Sequence, residues 1–241
     1  NNLGMYFVFA VFPFLLLLIK EKNRKNKLIY SMLTLLSLVN IIFSYSRNAL
    51  IGFAVGITVL IAVFGIRYLF LTIIPALFVF FIPSLSNRIK DISDVSQNLS
   101  RIKLWTLAGL IIKDHPILGI GNGNFGKYKN DYPINFAEYN ITEVYHPHNA
   151  FLKAYCELGL IGLISFTGMI VSSFFVLHKF IKNQGNNFYN WFYTGVFISL
   201  FAMVFMNLID SFFSAPKVIV YYFIVMGVCE GIRIRQGKIS R

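Results

Sequence analysis

The residues of this chain that could do chemistry gather in one stretch. His148 and Asn149 follow His146-Pro147 and precede an apolar run that opens with Gly159-Leu160-Ile161-Gly162. Histidine in water titrates near about 6.5, so a neutral imidazole can take a proton from a hydroxyl at ambient pH. Placed at the mouth of an apolar segment, such a group points to chemistry on a molecule that arrives through lipid. Asn149, Lys153 and Glu157 recur every four residues and share one helical face, with Phe151, Leu152, Tyr155 and Leu158 on the other. His148 then heads an amphipathic helix, beside backbone N–H groups that favour anions. Two plainer readings stay open: His148 bonded to a loop carbonyl, or His146 and His148 holding a metal. No cysteine or tight carboxylate cluster adjoins them in sequence, so neither a metal nor another cofactor is expected.

The cations come next, because arginine's planar fork matches phosphate oxygens. Arg47 lies in Ser44-Tyr45-Ser46-Arg47-Asn48 between two apolar runs. An unpaired arginine at membrane depth costs about 2.5–3.5 kcal/mol on insertion scales. It either snorkels to the interface or contacts an anion. Arg88, Lys90, Arg101 and Lys103 are further candidates. Asp210, close to Asn207 at the end of a later apolar run, either pairs with Arg47 or Arg101 or faces water. Glu157 either forms a surface pair with Lys153 or positions an arginine or the imidazole. His115 precedes Pro116 and reads as a turn residue.

The elements that must position these groups are membrane spans. The chain is 56% hydrophobic and only 13% charged, with Phe occurring 26 times, which marks an integral membrane protein. Apolar runs of spanning length are Leu3–Ile19, Leu28–Phe43, Ala49–Ile66, Tyr68–Ile82, Gly159–Leu177, Trp191–Ile209 and Val218–Ile232. The expected fold is therefore an all-α polytopic membrane protein of about seven helices. Backbone groups in hydrocarbon must pair within the segment, and the period-two alternation of a β-barrel is absent. Four spans would fill residues 1–82, a large loop 83–158, and three spans with a basic tail 159–241. The chain starts at Asn1 and is apolar by Leu3, so it reads as the C-terminal part of a longer protein.

Basic residues orient the bundle. The loop Lys20–Lys27, then Arg67, Lys179, Lys182 and the tail residues Arg233, Arg235, Lys238 and Arg241 fall on one side if the first span runs inward. That puts residues 83–158 outside the cytoplasm. The net charge of +12 is then mostly a matter of orientation, and nucleic-acid binding is excluded because the basic residues do not gather on one soluble face. Cys156 and Cys229 fall at opposite ends of the bundle and cannot pair.

Within the loop, Ser100 is a suitable N-cap for a helix Arg101–Lys113 that Pro116 terminates. Leu104, Leu107, Ala108 and Ile111 form its apolar face, and Trp105 suits a membrane interface. The run Pro116-Ile117-Leu118-Gly119-Ile120-Gly121-Asn122-Gly123-Asn124-Phe125-Gly126 invites a nucleotide-binding reading. No strand–turn–helix surrounds it and no Gly-Lys-Ser/Thr follows, so a tight turn approaching a ligand or another helix is expected instead.

Catalysis outside the cytoplasm limits the donor to an activated group that crosses on a lipid carrier, and a lipid pyrophosphate fits. Here the residues carry a resemblance. Ser46-Arg47 opening a span, Arg101 and Trp105, His115-Pro116-Ile117-Leu118-Gly119-Ile120-Gly121 with Phe125, and His148-Asn149 running through Glu157-Leu158 to Gly159 and Gly162 resemble the bacterial O-antigen ligase and polymerase superfamily. The resemblance covers roughly residues 44–177. It implies a metal-independent glycosyltransferase in the bacterial cytoplasmic membrane, with its active site on the extracytoplasmic face. The donor would be an undecaprenyl-pyrophosphate-linked glycan and the acceptor a glycan or lipid-linked sugar. On the family pattern His148 is the catalytic base, Arg47 and Arg101 bind pyrophosphate, and Asn149, Glu157 and Asp210 support them. A transporter or flippase of polysaccharide precursors is the alternative, although no matched pair of interrupted spans is evident.

Overall fold

The computed structural model describes residues 2–72, 95–136, 144–183 and 187–239, and it is helical, as the apolar runs require. Its long helices are α1 (Asn2–Lys20), α2 (Arg24–Phe43), α3 (Arg47–Phe64), α4 (Val95–Asp114), α5 (Ala150–Asn183), α6 (Phe188–Ile209) and α7 (Pro216–Ile239). Short 3-10 turns cover Ile66–Thr72, Phe125–Asn130 and Phe212–Ser214. Among the described residues, α1, α2, α3, α5 and α6 are long and apolar enough to cross a membrane. Expected spans one to three, five and six coincide with these. The fourth, Tyr68–Ile82, begins as 3-10 helix and otherwise lies outside the described residues, as do Arg88 and Lys90. The seventh falls in α7, where Lys217 and Glu230 bound a stretch shorter than the roughly 20 residues a span needs.

The chain divides into two compact units, residues 1–88, 172–206 and 215–241 in one, and 89–171 and 207–214 in the other. In the first, α1 packs against α2 and α3. Its buried Val8, Phe12 and Leu16 recur every four residues, which gives one helical stripe. Small residues set the spacing. A Cβ on Gly195 would stand 2.4 Å from the Cα of Pro13, and one on Gly56 would meet the Phe12 ring at 2.0 Å. Pro13 lies inside α1 without ending it. Leu28, Met32, Leu35, Leu36, Val39 and Phe43 of α2 are exposed, an apolar surface suited to lipid.

The second unit has a core of its own. Leu104, Leu107, Ala108 and Ile111, the apolar face read from sequence, close on Phe125, Phe136, Val144 and Cys156. Helix α4 starts at Val95, so Ser100 lies inside it rather than capping it. The hydrophobic periodicity that defined the face was silent about the polar first turn. Cys156 and Cys229 are both free and buried.

Helix α5 breaks at Gly159, whose φ of 67° and ψ of −166° suit essentially only glycine. The glycine-rich run fits into the break. The amides of Ile120 and Gly121 donate to the carbonyls of Cys156 and Glu157 at 3.0 and 2.8 Å, and the Leu160 amide donates to the Pro116 carbonyl at 3.0 Å. A Cβ on Gly119 would lie 2.6 Å from the Gly159 nitrogen, and one on Gly159 only 2.0 Å from the Ile117 oxygen. The tight turn therefore approaches a helix backbone. Gly159→Ala should cost at least about 1–3 kcal/mol from backbone strain alone and lower the thermal midpoint in detergent. Gly168→Ala, on the same helix with nothing within 4 Å of the new methyl, should leave it unchanged or slightly raised.

Candidate active site

Asn149 is the cap of α5. Its Oδ1 accepts from the amides of Phe151 and Leu152 at 2.9 and 3.0 Å, and its carbonyl accepts from Lys153 at 2.9 Å. These bonds occupy N–H groups that the sequence had left open for an anion. The Asn149 Nδ2 donates to the Leu208 carbonyl at 3.0 Å, which ties the start of α5 to the end of α6. Directly before the cap, His148 takes a positive φ of 49°. Non-glycine residues rarely do so, and the conformation costs about 1–3 kcal/mol unless its surroundings enforce it. Here they do. The Trp105 indole donates to the Pro147 carbonyl at 2.9 Å, and the His148 amide donates to His146 Nδ1 at 3.3 Å.

This backbone turns the His148 imidazole toward Asp210, the residue that follows α6. Nδ1 lies 2.9 Å from Asp210 Oδ1, with the two side chains 39% and 15% exposed. The Ser211 amide donates to the same oxygen at 2.8 Å. Burial raises the Asp210 carboxyl, but the His148 hydrogen bond and charge, with the Ser211 amide, outweigh it and hold it below the usual carboxylate value. The carboxylate is ionised at neutral pH. Asp210 was expected either to pair with Arg47 or Arg101 or to face water, and the structure pairs it with His148. Burial, assisted by repulsion from His148, lowers His146 to about 4, so its imidazole is neutral. The two rings meet edge to face at 4.4 Å between centroids.

Glu157 is not a surface residue. It is 1% exposed, its Oε2 lies 3.9 Å from the Lys153 ammonium, and its Oε1 has no hydrogen-bond partner among the described residues. Lys153 also donates to Ser214 Oγ at 3.0 Å. Arg101 is half-buried on α4, one turn before Trp105 and on the same face, so it stands one helical turn from the contact with Pro147. Arg47 is half-buried at the start of α3 in the other unit, where Ser46 is the N-cap and its Oγ accepts from the Ala49 amide at 3.3 Å. His115 is exposed, and its ring meets Tyr128 edge to face.

Residues 32–167 match the family described as O-Antigen ligase. The chain belongs to the O-antigen ligase family. It is thus a multi-pass bacterial membrane protein and a glycosyltransferase-like enzyme of O-antigen or related polysaccharide ligation or polymerisation. No curated protein matches it. The match takes in Arg47, Arg101, His148, Asn149 and Glu157 and stops short of Asp210. Sequence reasoning gave Lys153 only a structural place and offered Asp210 an arginine or water but not His148. The four-residue spacing from Asn149 through Lys153 to Glu157 was a usable signal for the lysine. For the His148–Asp210 pair, 62 residues apart, local sequence carries none. In this family member, Asn149→Ala removes both the cap and the tether to Leu208. It should cost about 0.5–2 kcal/mol, read as a lower thermal midpoint. Asn149→Asp keeps the capping oxygen but sets a carboxylate oxygen against the Leu208 carbonyl, so it should recover only the capping share of that loss.

Proposed function

We propose that the chain transfers a glycan from an undecaprenyl-pyrophosphate-linked donor to a sugar hydroxyl, on the extracytoplasmic face of the bacterial cytoplasmic membrane. The product belongs to O-antigen, capsule or exopolysaccharide, by ligation or polymerisation. The observation that carries this reading is the His148–Asp210 hydrogen bond at 2.9 Å. An ionised Asp210 accepts from Nδ1–H, so neutral His148 presents the lone pair of Nε2 as a base. That nitrogen takes the acceptor's hydroxyl proton. The acceptor oxygen bonds to the anomeric carbon, and the bond from that carbon to the pyrophosphate oxygen breaks, releasing undecaprenyl pyrophosphate. Asp210 stabilises the imidazolium that results.

The leaving pyrophosphate gains negative charge, which fixed cations stabilise best where water is scarce. Arg101 and Lys153 belong to the same unit as His148 and are assigned to it. Arg47 joins them on the family resemblance alone. Asn149 keeps His148 at the helix start, and Glu157 holds Lys153. In this scheme the chain's own residues supply the base and the cations.

Purified protein, lipid-linked donor and sugar acceptor make the test. His148→Ala should lower transfer by about 10²–10⁴ at normal abundance, the usual cost of a lost general base. Wild-type product from that variant removes the assignment. Arg101→Lys and Arg47→Lys keep charge but lose the bidentate fork, and each should weaken donor use. In cells, deletion separates the two outcomes: single-repeat chains point to polymerisation, intact polymer left on its carrier to ligation.

A further inference from the structure

The sequence offered two histidines and nothing adjacent to complete a metal site; the fold brings the missing carboxylate from 62 residues away. His146, His148 and Asp210 each direct one ligating atom into a common space, and these atoms all lie within 4.8 Å of one another. We propose that they form a binding site for one divalent transition-metal ion. An ion held at about 2.0–2.1 Å by each donor keeps its donors a little over 3 Å apart, so small side-chain rotations bring these three into register. The backbone beneath them is already fixed by bonds that owe nothing to an ion. Trp105 holds the Pro147 carbonyl, Asn149 holds the Leu208 carbonyl, and the Ser211 amide holds Asp210.

The donor set also selects the ion. Two imidazoles and one carboxylate suit Zn²⁺, Co²⁺, Ni²⁺ or Cu²⁺, whereas Mg²⁺ and Ca²⁺ prefer six or more oxygen ligands. Three protein ligands leave an open position for water or a substrate oxygen. The Lys153 ammonium opposes a cation here, but Glu157 and Ser214 draw it to themselves.

Occupation has a consequence that rests on the transfer chemistry proposed above, although ion binding itself does not. An ion on Nε2 of His148 takes the lone pair that acts as base. An ion on Nδ1 forces the ring's one proton onto Nε2, which removes the same lone pair and ends the hydrogen bond to Asp210. Either way metal binding and transfer exclude each other, and a trace transition metal would act as an inhibitor.

Cobalt titration of tag-free protein in detergent, followed by visible d–d absorption, tests binding without reference to activity. One Co²⁺ per chain is expected, undisturbed by excess Mg²⁺ and displaced by Zn²⁺. The signal should vanish in His146→Gln and in Asp210→Asn, with the folded state of each verified by its thermal midpoint. An absent signal, or one that survives His146→Gln, overturns the site. In the transfer assay, saturating Zn²⁺ should slow the wild type by about 10² or more, as losing the base would. Whatever rate His146→Gln retains, given the bond its ring accepts from the His148 amide, should be insensitive to the Zn²⁺ concentrations that slow the wild type. Cobalt binding without Zn²⁺ inhibition would leave the cation site standing and overturn the exclusion, and with it the base role of His148.

Discussion

A transmembrane helix that stops and restarts leaves carbonyls and amides without partners, and in a water-poor setting each such group costs several kcal/mol. Helix α5 does this at Gly159. The break is tolerated because another stretch of backbone supplies the missing partners. Ile120 and Gly121 donate to the carbonyls of Cys156 and Glu157, and Pro116 accepts from Leu160. The insertion requires backbone-to-backbone approach closer than any side chain permits, which explains glycine at both 119 and 159. What resembled a phosphate cradle is the plug of a helix break.

That plug fixes the other end of the same short segment. Residues 150–158 run between a cap at Asn149 and the break at Gly159, so neither end of this segment is left to fray. The site builds on the resulting rigidity. His148 is held at positive φ by the cap after it and by the Trp105–Pro147 bond before it. Strain of this kind gathers where surrounding structure over-determines one conformation, and functional sites are the usual place. Its product is an imidazole whose Nδ1 faces a carboxylate.

The legible parts of the fold are those with short-range signals. Hydropathy located α1, α2, α3 and α6 within a few residues and the middle of α5, whose ends reach well beyond the expected Gly159–Leu177, and the spacing of Leu104, Leu107, Ala108 and Ile111 gave the buried face of α4. Turn chemistry identified the glycine-rich run as a close approach but not the helix it meets. Pairings across long sequence distance were hidden. Asp210 had several open partners, because its charge fits an arginine as well as an imidazole, and tertiary bonds such as the Asn149–Leu208 tether bring it to His148. Glu157 read as a surface acid because charged residues are seldom fully buried.

Glu157 takes part in the same plug through its backbone. Its backbone carbonyl accepts from Gly121, and the residue is 1% exposed. A carboxylate so placed needs a counter-charge, and Lys153, one turn earlier, is the cation within reach at 3.9 Å. Lys153 in turn bonds Ser214, four residues beyond Asp210. The helix break, the buried acid, the lysine and the segment that carries Asp210 are therefore one connected set. A fold need not aim a positive charge at the proposed base His148 directly. Burying an acid one turn away, and letting it recruit the lysine, places the charge just as firmly.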